Sequence, residues 1–363
     1  MMVLFAEASK SRNLQLMVIS LRPNVTNSLF PAQLESLGVR VVTLSIHNLY
    51  NLSAIPTLVR IFRREKFDVV QTHLEHSNIL GTLAGRLTGI PIVATLHTTQ
   101  VRPVGRFHGL RRVAEKYALR YGARRVVAVG HRIADSYRQK IGRKEIDVIP
   151  SAVKSGALLS SEERLALRQK LTGDPNRPLI LSVGRLMIDK GYADLLTGFA
   201  QARQRYPEAF LVVIGEGELR NDLESRVASL GLTDHVRFLG ARDNVPNLLA
   251  AGDIYVNSSH REGLSMAILE AMAAGLPVLA TKVGDAEYLL ADGRGVMIEP
   301  HDPTALAAAM CALLDQPKTM LMLGKAAQAF TEKRYTLGQW LESFLRVYAW
   351  TQNGLQGEKV FGL

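Results

Sequence analysis

Cysteine is almost absent from this chain of 363 residues, which contains only Cys311. A single thiol cannot form a disulfide within the chain, so a disulfide-stapled fold is excluded and a reducing cytoplasm is the expected compartment. The opening residues, MMVLFAEASK, offer too few apolar side chains before Glu7 for a signal-peptide core. The longest apolar stretch, residues 264–281, is interrupted by Glu270, Gly275 and Pro277. It is therefore not predicted to span a membrane.

Several catalytic and metal-binding patterns are also missing. The sequence contains no Asp-x-Asp pair, no Gly-x-Ser-x-Gly elbow and no P-loop pattern, so hydrolase and kinase functions lack support. His73 and His76 form one pair without cysteine or carboxylate ligands at a metal-binding spacing. Neither a metal nor a cofactor is predicted.

Positive charge is abundant and unevenly placed. The net charge is +11, and 13 Lys and Arg lie between Arg102 and Lys144. Within this segment RFHGLRRVAEKYALRYG predicts an amphipathic helix whose basic stripe contains Arg112, Lys116 and Arg120. The stripe is compatible with a solvated face, or with attraction to anionic membrane lipid or an anionic acceptor. Nucleic acid is not a predicted partner, because no nucleic-acid fold signature accompanies the charge.

Short β-branched runs alternate with helical stretches along the whole chain. The runs in the first half are LQLMVIS, VRVVTLS, FDVVQT, IVATLH, RVVAVG and IDVIPS, and those in the second half are LILSVG, FLVVIG, VRFLG, IYVNSS, PVLAT and GVMIEP. Continuous apolar strands between helices predict parallel sheets covered on both faces, and two such series predict two doubly wound domains. The expected domains are residues 1–154 and 155–335, followed by a C-terminal helix in 336–363 that packs back toward the first domain.

Candidate binding residues follow three of the predicted strands in the second domain. Arg185 and Lys190 in GRLMIDKG could clamp a diphosphate. Glu262 precedes a helix predicted from about Ser265 to residue 274, whose N-terminus is a ready anion site. Glu270 lies inside this otherwise apolar helix, where a carboxylate needs hydrogen-bond partners and could accept them from the hydroxyls of a ribose.

The block EGLSMAILEAMAAGLPVLAT, with GRLMIDKG upstream and VRFLGARDNVPNLLAAGDIYVNSS between them, resembles the retaining GT-B glycosyltransferases of family 4. The resemblance implies an α/β fold of two Rossmann-like domains facing each other across a cleft. It also implies roles for particular residues. Arg185, Lys190 and the backbone of Gly263, Leu264 and Ser265 would bind the donor diphosphate, Glu270 the ribose, Glu262 the transferred sugar and the segment around Gly240 the base. A functional histidine of the family falls on His97, near the sugar and the acceptor.

The resemblance further implies the reaction and its partners. The expected activity is metal-independent transfer of a hexose, with retention of configuration, from a nucleotide-diphosphate sugar to a lipid-linked or polysaccharide acceptor of the cell envelope. The expected location is cytoplasmic, peripheral on the inner face of the membrane. The alternative is a truncated or non-catalytic relative that binds nucleotide or a partner without turnover.

The N-terminal sequence departs from this pattern. A doubly wound domain opens with a strand that turns through a glycine-rich loop into its first helix, but no glycine precedes Gly38. MMVLFAEASK reads as the back half of that first helix. We therefore expect that a first strand, its turn and the start of the helix are missing from this chain.

Overall fold

A computed structural model describes residues 1–12, 14–21, 30–44, 46, 54–98, 108–143 and 145–353. The chain forms two compact units. Met1–Ala152 and Leu337–Leu363 make up the first unit, and Val153–Thr336 make up the second. Within the described segments, no helix combines the length and the apolar character that crossing a membrane requires.

The strands of the first unit lie in two parallel sheets. One sheet pairs β1 (Met17–Ser20) with β2 (Arg40–Thr43), and the other has the order β3 (Val70–His73), β4 (Ile92–Leu96), β5 (Arg125–Ala128) and β6 (Asp147–Val148). Ile19 of β1 packs in the same apolar cluster as Val70 and Ile92. Leu16, just before β1, packs in the same cluster as Val93. The two sheets therefore share apolar cores, although β1 and β3 are not paired by hydrogen bonds.

The second unit contains one six-stranded parallel sheet. Its strands are β7 (Leu179–Val183), β8 (Phe210–Ile214), β9 (Val236–Phe238), β10 (Ile254–Asn257), β11 (Val278–Thr281) and β12 (Val296–Ile298), in the spatial order β12-β11-β10-β7-β8-β9. Successive side chains point to opposite faces of a strand, so Leu179 and Leu181 join one apolar cluster while Ile180 joins the other. Both faces are buried, which explains why these strands read as continuous apolar runs.

Two helices of the second unit begin at clear capping signals in the sequence. Ser160 and Glu163 form a reciprocal capping box at the start of one helix, and Asp302 caps another that opens on Pro303. The described helices are α1 (Met2–Ser9), α2 (Phe30–Ser36), α3 (Ala54–Glu65), α4 (Leu74–Thr88), α5 (His108–Tyr117), α6 (His131–Ile141), α7 (Ser161–Thr172), α8 (Tyr192–Ala202), α9 (Arg220–Ser229), α10 (Val245–Ala251), α11 (Met266–Ala273), α12 (Ala286–Leu290), α13 (Pro303–Leu314), α14 (Pro317–Arg334) and α15 (Leu337–Asn353). A 3-10 turn, Ile188–Lys190, precedes α8, and a π-helical segment, Ala118–Gly122, extends α5.

The C-terminal helix α15 belongs to the core of the first unit. Its aromatic stripe includes Trp340 and Phe344, whose rings lie edge-on to Phe5 of α1 at 5.4 and 5.8 Å between centroids. The same cluster contains Val93 and Val127 from the neighbouring sheet. Each fully buried aromatic or aliphatic side chain of this kind contributes about 1.5–3 kcal/mol to stability.

Candidate active site

The candidate site lies at the point where the strand order of the second unit reverses. The central strands β7 and β10 are neighbours in the sheet, while the chain continues from β7 toward one edge and from β10 toward the other. In such sheets ligands bind beyond the carboxyl ends of the two strands, where the following loops separate. Arg185 and Lys190 follow β7, and Glu262 and Glu270 follow β10, so the topology places all four at this edge.

The loops after β7 and β10 are fastened to each other. The His260 amide donates to the Asp189 carbonyl at 2.8 Å, and Ser258 Oγ donates to the Lys190 carbonyl at 3.0 Å. Gly191, which follows Lys190, has φ +63°, and a Cβ there would lie 2.0 Å from the Ser258 carbonyl oxygen. Only glycine permits this approach, so the spacing of the two loops is fixed by backbone contacts.

This fastening brings Lys190 and Glu262 together. Lys190 Nζ donates to Glu262 Oε1, and Ser259 Oγ donates to the same carboxylate oxygen at 3.0 Å. The Glu262 side chain is only 12% exposed, so the pair is shielded from water. Arg185 differs, because it is exposed and its guanidinium has no hydrogen-bond or ion-pair partner among the described residues. Of the two cations expected to bind the diphosphate, Lys190 is therefore paired with a carboxylate, and Arg185 is available to bind an anion.

The N-terminus of α11, next to the Lys190–Glu262 pair, has no side-chain cap. Ser265 is the N-cap residue, and its side chain makes no capping hydrogen bond to the first turn. The loop before it is anchored because the Asp285 amide donates to the Gly263 carbonyl at 2.9 Å. Gly284 has φ +56°, and a Cβ there would lie 2.2 Å from that carbonyl oxygen. The free N–H groups of Gly263, Leu264 and Ser265 and of the first helical turn form a ready anion site.

Glu270 is a partly buried carboxylate inside α11. Its side chain forms no hydrogen bond or ion pair with the described residues, and burial raises the pKa of its carboxyl group. Burial also raises the pKa of the neighbouring Tyr255 hydroxyl, with contributions from Tyr192, Glu262 and Glu270. Both carboxylates therefore lie near one buried phenol, and Glu270 keeps its hydrogen-bonding capacity free.

Glycine backbones join the remaining strand ends of this edge. The Gly215 amide donates to the Gly240 carbonyl at 2.9 Å. A Cβ on Gly215 would lie 2.0 Å from the Gly184 carbonyl oxygen, and one on Gly217 would lie 2.3 Å from the Leu186 carbonyl oxygen. The Gly-Glu-Gly turn at 215–217 thus allows close packing of the loops after β7 and β8. Gly240 lies at the end of β9 in the same assembly.

His97 belongs to the first unit, where it follows β4. Its Nε2 lies 2.9 Å from Nδ1 of His73, which ends the neighbouring strand β3. Burial, reinforced by the facing His97, lowers the pKa of His73 to about 3, and burial also lowers the pKa of His97. Both imidazoles are therefore neutral near pH 7. The sequence does not predict this pairing, although the adjacency of two strand ends is a signal that could have suggested it.

A nucleotide-sugar site needs cations for phosphates and acceptors for hydroxyl groups, and this edge presents both. Two α/β units with parallel sheets match the GT-B fold, as the sequence predicts. The solved structure of HepE from Anabaena in complex with UDP-glucose has this fold, with a TM-score of 0.83, 22% identity and coverage of 96% of this chain and 95% of that one.

Sequence comparisons identify the family. The family model described as "Glycosyl transferases group 1" matches residues 163–330, and the one described as "Glycosyltransferase Family 4" matches residues 2–155. The 2-deoxystreptamine glucosyltransferase of Streptomyces kanamyceticus is 30% identical over 313 residues, covering 80% of this chain and 79% of the relative. A UDP-Gal:alpha-D-GlcNAc-diphosphoundecaprenol alpha-1,3-galactosyltransferase of Escherichia coli is 26% identical over 75% and 73% of the two chains. The chain belongs to the group 1, family 4 glycosyltransferases and is thus a sugar-transferring enzyme.

Proposed function

We propose that this protein transfers a hexose from a nucleotide-diphosphate sugar to a lipid-linked or polysaccharide acceptor, with retention of configuration and without a metal ion in the reaction. Family membership supports sugar transfer, and the relative from Escherichia coli is named for a UDP-sugar donor and a lipid-diphosphate acceptor. The observation that carries the donor class is Glu270, a partly buried carboxylate without a partner among the described residues, on the helix whose N-terminus opens beside Lys190 and Glu262.

The donor diphosphate would lie between Arg185, Lys190 and the N-terminus of α11. Arg185 is exposed and available, while Lys190 is held by Glu262 and can reorient its ammonium toward a phosphate. Two carboxylates alone would repel a diphosphate, since two unit charges 4 Å apart interact by about 4 kcal/mol at an effective dielectric constant of 20. The cations and the N–H groups of Gly263–Ser265 offset that repulsion.

The nucleoside would be held by Glu270 and by the end of β9. Glu270 accepts hydrogen bonds from the two ribose hydroxyls, which supply the donors that its carboxylate lacks among the described residues. The base would lie against the segment around Gly240, beside the Glu216 side chain, whose Oε1 would be 2.6 Å from a Cβ on Gly240. Because the Gly215–Gly240 contact fixes this segment, the base would meet a preformed surface.

The transferred sugar would contact Glu262, and His97 of the first unit would act in the transfer reaction, as the family resemblance implies. Glu262 accepts hydrogen bonds from sugar hydroxyls, and the neutral His97 imidazole can donate or accept one. Retention without an evident protein nucleophile favours attack on the same face that the diphosphate leaves. A departing phosphate oxygen then accepts the acceptor's proton as the new glycosidic bond forms. Lys190, Arg185 and the α11 N-terminus stabilise the negative charge that develops on the leaving diphosphate.

Nucleotide release from a panel of UDP-, GDP- and ADP-sugars tests this function. We expect one donor class to release its nucleotide, with the rate unchanged in excess EDTA and with a product of the same anomeric configuration as the donor. A panel that binds without turnover would support a non-catalytic relative instead. Loss of release in EDTA, or an inverted product, would overturn the corresponding part of the proposal.

We also propose that α5 and the turn after it contact an anionic membrane surface. The structure turns an apolar stripe of this segment outward: Leu110, Val113, Tyr117 and Tyr121 are each more than half exposed. Arg112 and Lys116 lie exposed on the same helix. An exposed apolar face flanked by cations is typical of helices that lie in a membrane interface. Arg102 and Lys144, the ends of the basic segment, lie outside the described residues.

Neutralising this surface should weaken vesicle binding. We expect Arg112→Gln combined with Lys116→Gln to reduce binding to vesicles containing phosphatidylserine by about thirtyfold, since each cation near an anionic surface contributes about 1 kcal/mol. Arg120 is a less suitable target because it donates to the Ile141 carbonyl. Lys282→Gln, in the second unit, is a matched control that should bind normally. Wild-type binding that is absent or insensitive to salt would rule out this surface.

A further inference from the structure

Three side chains converge beside the donor loops, on the second unit. Asp194 lies in the first turn of α8, His260 in the loop after β10 and His301 in the loop after β12. His260 Nε2 lies 2.7 Å from Asp194 Oδ2, and His301 Nδ1 lies 3.9 Å from the same oxygen. One ligand atom from each residue falls within 4.8 Å of the others. The two imidazole rings stack with centroids 3.7 Å apart.

We propose that Asp194, His260 and His301 form a binding site for one divalent transition-metal ion of the zinc type. Two imidazole nitrogens and one carboxylate oxygen are the ligands that zinc and cobalt accept, with a fourth position left for water. Bonds of about 2.0–2.1 Å in a tetrahedral site place ligand atoms about 3.3 Å apart. The observed separations of 2.7 and 3.9 Å lie on either side of that value, and all three ligand atoms lie within 4.8 Å of one another, so side-chain rotations would complete the site.

The backbone holds each ligand in place before any ion binds. The His260 amide is fixed to the Asp189 carbonyl, and Gly191 leaves room for the His260 ring, whose Nε2 would lie 2.9 Å from a Cβ at that position. Gly198 of α8 allows the start of α13 to approach, since a Cβ there would lie 2.7 Å from the Pro303 carbonyl oxygen. This close contact between α8 and α13 places His301, which directly precedes α13, near Asp194 of α8.

The backbone of His301 supports the same conclusion. Its φ is +63°, in the left-handed region, which non-glycine residues adopt uncommonly, although histidine does so more often than most. Such strain persists where surrounding structure imposes it and is concentrated at functional sites. The side chain is 67% exposed, so apolar packing does not account for the position. Helix α13 starts directly after His301, with Asp302 as its N-cap and Pro303 as its first residue, and this fixes the direction of the chain. The His301 ring thereby reaches His260.

A bound ion would tie together the loops after β7, β10 and β12. The ion would replace the proton in the hydrogen bond between His260 and Asp194, because imidazole and carboxylate ligands bind a metal in their deprotonated forms. The ion lies outside the reacting atoms and is not needed for folding, since the His260–Asp194 hydrogen bond already closes the cluster. This inference is independent of the donor assignment. Its test does not use transfer activity.

Metal content provides the first test. The purified full chain, stripped with chelator and then dialysed against Zn²⁺ or Co²⁺, should retain one ion per chain more than the His301→Ala variant does. Cobalt bound at the site should show the intense visible absorption of a four-coordinate ion, and this band should be absent in His301→Ala. His301 is mostly exposed, so this variant should fold. Equal retention and equal absorption in the two proteins would overturn the proposal.

Thermal stability provides the second test. Zinc at a hundredfold excess over its dissociation constant should raise the melting temperature of the wild type by about 5–10 °C, from the free energy of saturable binding and the usual sensitivity of domains of this size. His301→Ala and Asp194→Asn should lose this shift. His131→Ala, a histidine of the first unit, should keep it and serves as the matched control. A shift that survives in both cluster variants, or its absence from the wild type, would show that no such site exists.

Discussion

Replacing Lys190 by alanine is expected to lower kcat/KM for sugar transfer by about 10²-fold or more, the effect of removing one preorganised charge contact to a leaving group. The ammonium group lies in the loop after β7 before the donor arrives, because Glu262 and the 3-10 turn Ile188–Lys190 hold it there, and it needs only a local reorientation to reach the diphosphate. The substitution removes the positive charge and also leaves the Glu262 carboxylate, 12% exposed, beside the incoming diphosphate. Both changes raise the energy of the transition state.

Two variants separate these effects. Lys190→Ala/Glu262→Gln removes the uncompensated carboxylate, so it should bind nucleoside diphosphate more tightly than Lys190→Ala while transferring sugar no faster. Arg185→Ala should lower kcat/KM by a similar factor without this binding penalty, because Arg185 has no carboxylate partner among the described residues. Steady-state kinetics and nucleotide titrations provide both measurements.

Lys282 is the matched control for the clamp. It follows the neighbouring strand β11 and pairs with Glu287 at 3.3 Å, but it does not follow β7 or β10. Lys282→Ala should keep kcat/KM within about twofold of the wild type, as expected for an exposed surface pair. Near-normal turnover of Lys190→Ala and Arg185→Ala would show that neither residue contacts the diphosphate.

The sequence predicts most of the fold because burial on both faces leaves a direct signal. All twelve apolar runs overlap strands, and α11 lies within one residue of its predicted ends, since Gly275 and Pro277 mark its termination. The sequence does not predict which strands pair with each other. The division of the first-unit strands into two sheets depends on hydrogen bonds between distant segments, and the runs LQLMVIS and FDVVQT carry no information about them.

The candidate site is only partly predictable for a similar reason. Strand ends and helix starts place Arg185, Lys190, Glu262 and Glu270 on one edge of the sheet. The sequence does not predict that Lys190 pairs with Glu262, because that contact depends on the close approach that Gly191 permits. It also predicts no metal site, since no short spacing links Asp194 to the two histidines. The amphipathic segment is predicted correctly as a helix, but the structure exposes its apolar stripe.

Replacing Glu270 by alanine is expected to weaken binding of the donor nucleotide by about 2–4 kcal/mol, the range for losing a charged acceptor of two hydrogen bonds. Calorimetric titration of the wild type with a nucleoside diphosphate and with its 2′-deoxy counterpart isolates the ribose contact. The wild type should bind the deoxy compound more weakly. Glu270→Ala should bind the two compounds equally, because the carboxylate that distinguishes them is gone. Equal affinity of both compounds for the wild type would exclude the ribose role.

The stability of the Glu270 variants distinguishes a ligand-binding carboxylate from a structural one. Burial raises the pKa of Glu270, so keeping this group ionised costs the unliganded protein free energy at any pH above the ordinary range of a glutamate. Glu270→Gln, which is nearly isosteric, should therefore melt at the same or a higher temperature near pH 7 and still bind nucleotide more weakly than the wild type. If Glu270 instead formed a structural pair, the same substitution would lower the melting temperature. Since ribose hydroxyls donate to the ionised form, nucleotide affinity of the wild type should fall as the pH drops through the Glu270 pKa, and Glu270→Gln should lack this dependence.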